Sequence, residues 1–182
     1  MKNLKIGLRL GIGFAIVLAL LLIVAVMGSL RLGNLQAEIT DLVGDKNVKV
    51  ATSNDIIDAV NMIGLLHRNM LIMRGDDDIR SFTQGTNDER AKILKSLEAL
   101  EAFSYGDQGV RLLDAIKSAR QGFVGVQQQF ESLIAQRDFD QATNIFASTY
   151  RPAYLTYLDS VSKFVSYQTE LMQETGRHAE EL

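Results

Sequence analysis

Two different patterns of apolar residues divide this chain. Residues 10–30 contain no ionisable side chain, and at about 1.5 Å per residue they would form a helix roughly 31 Å long, which matches the hydrocarbon core of a bilayer. The segment lacks the polar stripe of a helix in a soluble core. It is also longer than the apolar region of about 7 to 15 residues in a cleavable signal peptide. The pattern predicts an uncleaved transmembrane helix.

The residues that flank this segment predict its orientation. Residues 1–9 carry three basic side chains and no acidic one, whereas acidic residues beginning with Glu38 follow the segment. Lysine and arginine collect on the cytoplasmic side of membrane helices. We therefore expect residues 1–9 to be cytoplasmic and residues 31–182 to lie on the other side of the membrane.

Residues 31–182 show the second pattern, in which apolar residues recur at steps of three and four. This spacing is typical of amphipathic helices, and breaks in it predict four helices that end near residues 74, 103, 136 and 182. We expect Gly75 to end the first of these in the left-handed conformation, and Asp138 to form a capping box with Gln141. The two clearest seams are Leu112, Ile116, Ala119, Phe123, Val126, Phe130 and Leu133 on the third helix and Tyr150, Tyr154, Tyr157, Val161, Phe164, Gln168 and Leu171 on the fourth. Regular seams and short turns predict an all-α, antiparallel up-down-up-down four-helix bundle.

The first and last of these four helices have matched lengths. Residues 31–74 and residues 138–182 would each span about 66 Å if fully helical. The last helix begins at the tip that is far from the membrane, so its end should return to the membrane surface. We therefore expect a second transmembrane helix beyond residue 182, which makes this chain the front part of a longer receptor.

The charge balance of the exported part limits the classes of partner that it can bind. All 22 acidic residues and 16 of the 19 lysines and arginines lie in residues 31–182, which gives this part a net charge of −6. Proteins that bind nucleic acid need a basic surface, so we expect no nucleic-acid partner. The chain has no cysteine, which excludes thiolate metal sites and haem attached through a C-x-x-C-H motif.

Few residues suit catalysis or a cofactor. The two histidines, His67 and His178, are far apart in the sequence, and the spacing from Glu174 to His178 differs from the Glu-x-x-His of di-iron bundles. Residues 76–78 are three consecutive aspartates, which we interpret as a solvated helix cap rather than a cation site. We expect no enzymatic activity, no metal and no cofactor; a non-covalent haem held by a histidine and a methionine is the alternative that this composition leaves open.

Three segments resemble parts of bacterial methyl-accepting chemotaxis receptors. The chain opens with MKNLKIGLRLG at residues 1–11, ahead of the apolar run, as many of these receptors do. Residues 137–142 read RDFDQA and residues 150–154 read YRPAY, and they are similar to the last turn and last helix of the four-helix-bundle sensor domains in that family. The resemblance covers nearly the whole chain.

The resemblance implies a homodimeric ligand-binding domain in the periplasm, held by a helix in the inner (cytoplasmic) membrane. Such a domain binds a small ligand directly or docks a ligand-loaded binding protein. Cytoplasmic signalling partners would be reached only through a C-terminal part beyond these 182 residues. The same sensor module also occurs on histidine kinases and diguanylate cyclases, and a ligand-free, membrane-tethered structural bundle remains the alternative from a different class.

Polar residues beside the apolar seams predict a ligand pocket. On the first exported helix Asn61, Gly64 and Arg68 share one face, and counting residues from the far tip brings them to the level of the start of the fourth helix. The predicted pocket residues are Asn61, Arg68, Arg120, Tyr150, Arg151 and Tyr154. Guanidinium groups bind carboxylates in a bidentate manner, so the predicted ligand is a small organic acid or related anion. The alternative for these residues is ordinary packing, with dimer contacts or solvent on their outer side, and His67 is expected to be a buried core histidine.

Overall fold

The computed structural model describes the chain from Ile6 to Glu180, and its side chains at residues 11, 13–30, 33 and 44–177. Every regular element within these limits is helical, so the all-α prediction is confirmed. The elements are α1 (Ile6–Thr40), a π-helical segment (Asp41–Lys46), α2 (Asn47–Ile72), α3 (Asp76–Glu101), α4 (Asp107–Ala135), α5 (Phe139–Ile145), a second π-helical segment (Phe146–Tyr150) and α6 (Arg151–Glu180). Part of the segment expected in the cytoplasm, residues 1–5, lies outside the described residues.

Helix α1 carries the apolar run. Among the described residues, Gly13–Leu30 is the one helical stretch that is long and apolar enough to cross a membrane, and none of it is buried against the rest of the protein. Large apolar side chains such as Phe14, Leu22 and Leu30 are therefore more than half exposed. Exposed apolar surface of this extent is unfavourable in water.

The four-helix bundle is formed by α2, α3, α4 and the continuous α5–α6 unit. Helix α2 packs along α3 and against α6, and α6 packs along α4. Three short turns connect the helices at residues 73–75, 102–106 and 136–138, close to the predicted breaks. The predicted antiparallel bundle is confirmed.

The core runs between all four helices. Its buried apolar residues include Ile56, Val60, Ile63 and Met70 of α2, Ile93, Leu97 and Leu100 of α3, Leu113, Ile116, Phe123, Phe130 and Ile134 of α4, and Tyr157, Val161 and Phe164 of α6. On α4 the predicted seam is half correct. Leu112, Val126 and Leu133 are only half-buried because α4 is rotated so that Leu113 and Gln127 face the interior.

The turns differ from the sequence-based prediction in one respect. Gly75 has φ of −67° and caps the start of α3 in an extended conformation, so the predicted left-handed stop there is wrong. The left-handed residue is Arg137, with φ of 62°. Its N–H donates to the Ile134 carbonyl and the Asp138 N–H donates to the Leu133 carbonyl, which is the Schellman arrangement at a helix end.

Asp138 forms half of the predicted capping box. Its carboxylate accepts the Gln141 backbone N–H at 3.0 Å, as a helix N-cap should. The reciprocal bond cannot form, because the Asp138 N–H already donates to the Leu133 carbonyl. Asp138 thus takes part both in the end of α4, through its backbone N–H, and in the start of α5, through its carboxylate.

Candidate functional site

A close approach between α2 and α6 creates the first wall of a surface cleft. Gly64 lies in the middle of α2, and a Cβ atom at this position would come within 3.2 Å of the Tyr154 ring. The missing side chain therefore lets the Tyr154 ring of α6 pack directly against α2. The Tyr154 hydroxyl donates a hydrogen bond to the Asn61 side-chain oxygen, which fixes the ring in that place.

The cleft has a volume of about 290 Å³ and lies between α2 and the start of α6. Its lining residues are Asn61, Gly64, Leu65 and Arg68 from α2, and Phe146, Tyr150, Arg151 and Tyr154 from the second π-helical segment and α6. Five of the six residues predicted from the sequence line this one cleft, and we call it the α2–α6 cleft. That these residues bind a ligand stays a prediction.

The π-helical segment Phe146–Tyr150 shapes the far end of this cleft. A π-helical turn holds more residues than an α-helical turn, and such turns are frequent at functional sites. The rings of Phe146 and Tyr150 are stacked, with centroids 4.7 Å apart. Sequence reasoning missed Phe146, although its spacing of four from Tyr150 places both rings on one face of a helix.

The charges of the cleft are all of one sign. Arg68 and Arg151 line it from different helices, and its lining includes no acidic residue. Neither guanidinium forms an ion pair or hydrogen bond with another described residue. Burial raises the pKa of the Tyr154 and Tyr150 hydroxyls, so both stay protonated at neutral pH.

Arg120, the sixth residue of the predicted pocket, does not line the α2–α6 cleft, so the structure does not bring it together with the other five. It borders a small interior cavity of about 10 Å³ together with Ile93, Gln127 and Tyr157. Counting residues along a helix gives the depth of a side chain but not its direction around the helix axis. Arg120 has the predicted depth, but it faces the space between α3 and α4 rather than the outer surface between α2 and α6.

A network of polar side chains lies in the core directly behind the cleft. His67 is fully buried, and its Nδ1 atom lies 2.8 Å from the Tyr150 hydroxyl. Its Nε2 atom lies 3.0 Å from a carboxylate oxygen of Glu131, a close but poorly aligned contact. Arg90 of α3 binds the same Glu131 oxygen at 2.6 Å and the Gln127 side-chain oxygen at 3.0 Å.

Gln127 brings the two ends of this network together. Its side chain lies close enough to the Tyr150 hydroxyl to lower the pKa of that group, so Tyr150, His67, Glu131, Arg90 and Gln127 form one circuit of neighbouring side chains, which we call the buried ring. It joins α2, α3, α4 and the second π-helical segment. The expectation of a satisfied core histidine is thereby refined, because His67 connects the core to a residue of the cleft wall.

A second surface depression, the α2–α3 groove, has about 540 Å³ and is larger than the cleft. Its lining residues are Thr52, Asp55, Asp58, Ala59 and Met62 of α2 and Glu89, Lys92, Lys95, Ser96 and Ala99 of α3. Charges of both signs are mixed in it, and Lys92 lies 2.7 Å from Glu89. Within the described residues no three His, Cys, Asp or Glu side chains are grouped so that they could hold a metal ion.

Comparison with known proteins identifies the family. A family model described as a four helix bundle sensory module for signal transduction matches residues 3–182. No curated protein matches the chain. The match spans the apolar helix, the bundle and the cleft, and it confirms the resemblance to chemotaxis-receptor sensor domains. The chain belongs to the family of four-helix-bundle sensory modules for signal transduction.

Proposed function

We propose that this protein is the sensory part of a bacterial transmembrane chemoreceptor that binds a small organic acid or related anion in the α2–α6 cleft. The observation that carries the proposal is the pair of arginines, Arg68 and Arg151, which line one cleft without an acidic partner. Two cations held near each other gain from an anion between them, and the guanidinium fork binds carboxylates in a bidentate manner. We propose a binding role for this site, not an enzymatic one.

The walls of the cleft suit a ligand with an apolar or aromatic body. Phe146, Tyr150 and Tyr154 present rings and Leu65 an aliphatic side chain, while Asn61 adds an amide. Small-molecule sites combine apolar and aromatic side chains with a small number of polar groups that fix the orientation of the ligand. In a domain with a net charge of −6, the two arginines also make a local positive region that attracts anions from solution.

The helices that form the cleft are the ones that reach toward the apolar helix. Helix α2 continues through the π-helical segment Asp41–Lys46 into α1, and α6 runs back beside that segment. The Lys46 ammonium donates to the Thr175 hydroxyl there. We propose that a ligand bridging α2 and α6 shifts the population between two packed arrangements of these helices, which requires different affinities for the two.

We propose that α1 anchors the protein in the inner membrane, with the bundle in the periplasm. The exposed apolar stretch Gly13–Leu30 supports this proposal, because lipid would cover it. A reporter enzyme that is active only outside the cytoplasm, fused after residue 180, should be active in cells. If this reporter is inactive, and a reporter that is active only in the cytoplasm is active at the same position, the topology is contradicted.

We propose that two copies associate through the outer face of α2. Val48, Met62, Leu65 and Ile72 are exposed on this helix, and their separations of 14, 3 and 7 residues place them on one side of it. Because Leu65 also lines the cleft, a partner would stand beside the ligand. The test compares disulfide formation between two copies of the Met62→Cys variant with that of the Lys163→Cys variant on α6. We expect only the Met62→Cys variant to cross-link. Cross-linking of both variants or of neither would exclude the α2 face.

Ligand charge is the decisive test of the binding proposal. Calorimetry would compare succinate, malate, citrate and benzoate with their uncharged analogues succinamide, malamide, citramide and benzamide, on the whole chain in lipid nanodiscs. We expect at least one acid to bind, and its amide to bind at least about tenfold more weakly, because loss of a charge-assisted hydrogen bond costs about 1.5–3 kcal/mol. Equal binding of an acid and its amide would contradict an anion site.

A further inference from the structure

The buried ring determines where the protons of its members lie. Glu131 is anionic, because contacts with His67 and Arg90 outweigh its partial burial and lower the pKa of its carboxyl. The His67 Nε2 atom faces this carboxylate and therefore carries the proton of the neutral imidazole. The Nδ1 atom is then an acceptor, so the Tyr150 hydroxyl donates its proton to His67.

The hydroxyl of Tyr150 is thus held by His67. It donates to the Nδ1 atom at 2.8 Å, and the side-chain oxygen of the nearby Gln127 is already bound to Arg90. Tyr150 is about 1% exposed, and its ring forms part of the cleft wall beside Phe146. The ring of Tyr150, rather than its hydroxyl, is what the cleft presents to a ligand.

We propose that His67 is a positioning residue for the α2–α6 cleft, and that protonation of His67 releases Tyr150 and reshapes the cleft wall. The inference names a regulation of the proposed ligand site, so its consequence for affinity rests on that function, whereas the structural step does not. A protonated imidazole carries hydrogen on both nitrogens. Its Nδ1–H would point at a hydroxyl whose own proton then has no acceptor, and an unsatisfied buried group is costly.

The charged surroundings of His67 set the direction of the effect. Among the described residues, the titratable or charged groups that face it are Glu131 of α4, Arg90 of α3 and Tyr150 of the second π-helical segment. Burial, the largest influence, lowers the pKa of His67 below its ordinary 6.5; Glu131 partly opposes this shift and Arg90 adds to it. Glu131 is 26% exposed, so protons can reach the ring without unfolding of the bundle.

The sign of the linkage follows from this direction. Because the folded state lowers the pKa of His67, the unfolded chain takes up its proton first as the pH falls below 6.5. The stability that neutral His67 contributes is therefore complete above that pH and declines toward acid. Glu131 acts in the same direction at lower pH, since its lowered pKa makes protonation of its carboxyl costly in the folded state.

The test is an NMR titration of the 182-residue chain in detergent micelles, with ¹³C labels in the histidine rings and at tyrosine Cζ. Protons are the only ligand added. We expect His67 to titrate with a midpoint below 6.5, and the Tyr150 and Tyr154 signals to shift with that same midpoint. Tyr105, whose hydroxyl donates to the Leu100 carbonyl at the other end of the bundle, should stay unchanged and serves as the internal control.

Two variants separate positioning from a purely structural role. His67→Gln keeps one donor and one acceptor but cannot become charged, so the tyrosine signals should lose their pH dependence while the bundle stays folded. In the Tyr150→Phe variant, His67 should still titrate, but the Tyr154 signal should no longer shift as His67 takes up its proton. A midpoint at or above 6.5, a His67 that stays neutral until the protein unfolds, or tyrosine signals that ignore His67 would each overturn the inference.

A binding measurement then distinguishes the inference from the proposed function. For any of the four acids that binds, its apparent dissociation constant should rise by about tenfold per pH unit below the midpoint, because only the neutral fraction binds well. The His67→Gln variant should show only the pH dependence that protonation of the acid itself causes, and subtracting this dependence isolates the contribution of His67. If none of the acids binds but the tyrosines follow His67, the proposed function fails and the positioning role of His67 stands.

Discussion

The α2–α6 cleft and the α2–α3 groove share one helix as a wall, but they differ in the signs of the charges that line them. The groove is the larger of the two, about 540 Å³ against about 290 Å³. Its lysines and carboxylates are mixed, and Lys92 is paired with Glu89. The cleft holds Arg68 and Arg151 with no acidic neighbour in its lining. Charge of a single sign, rather than volume, therefore indicates where an anion would bind.

The difference has a structural origin. In the groove, Lys92 and Glu89 lie one turn apart on the same helix, where opposite charges pair at small cost and with small gain. In the cleft, the two arginines come from helices that are distant in sequence, and the close contact of Tyr154 with Gly64 holds those helices together. Two like charges that line one cleft gain energy when an anion enters between them.

Removing two positive side chains from the cleft, or two from the groove, should produce the largest difference in acid affinity. Arg68→Ala combined with Arg151→Ala should weaken acid binding by at least about 100-fold, since each charge-assisted contact is worth about 1.5–3 kcal/mol. Lys92→Ala combined with Lys95→Ala changes the net charge equally and should leave affinity within about twofold. Calorimetry on both double variants checks this. Similar losses in the two variants would show that general charge attraction, not the cleft, drives binding.

Two glycines allow a sharper comparison of the two sides of α2. A Cβ atom at Gly64 would meet the Tyr154 ring at 3.2 Å, and one at Gly85 of α3 would meet the end of the Leu66 side chain at 3.1 Å. Gly64→Ala should push Tyr154 away from Asn61 and weaken acid binding by about tenfold, which is the range for one lost polar contact. In Gly85→Ala the flexible Leu66 can turn aside, so affinity should be unchanged.

Thermal unfolding of the same two variants gives an independent measurement. Alanine stabilises a helix interior by about 0.5–1 kcal/mol relative to glycine. Gly85→Ala should therefore raise the unfolding temperature slightly, whereas in Gly64→Ala the displaced aromatic ring should cancel that gain. A Gly64→Ala variant that is more stable and binds the acid with unchanged affinity would show that the Tyr154 contact does not shape the cleft.

The bundle could be predicted because its determinants are local and repeated. Apolar steps of three and four run through each helix, and short polar turns leave only an antiparallel arrangement of neighbours. Gly75 differs from the prediction because a glycine after a helix usually adopts the left-handed conformation, whereas Gly75 begins α3. The residue with the left-handed conformation is Arg137, after the end of α4. Arg137 is held there by bonds to the Arg74 carbonyl and to Asp76, which depend on tertiary structure.

The cleft was predicted better than the network behind it. Asn61, Arg68 and Tyr154 share helical faces that the spacing reveals, and all of them line the cleft. The buried ring needs side chains of α2, α3, α4 and the second π-helical segment to point at one another, and the direction of a side chain around its helix axis is not encoded in spacing alone. The π-helical segment is also beyond local rules, since its sequence, FASTY, carries no breaker that would predict it.

Arg120 provides the smallest expected effect and the most direct check of this distinction between depth and direction. It lies at the level of the cleft but borders the interior cavity beside Tyr157, whose buried hydroxyl has no hydrogen-bond partner within the described structure. Arg120→Ala should therefore leave acid affinity within about twofold, while Arg151→Ala alone weakens it by about tenfold or more. Calorimetry with the same acid compares the two single variants, each of which removes one positive charge. Equal losses of affinity would mean that the ligand extends through the bundle toward α4, as the matching depth of Arg120 along its helix predicts. The outer surface between α2 and α6 would then be only the entrance to the site.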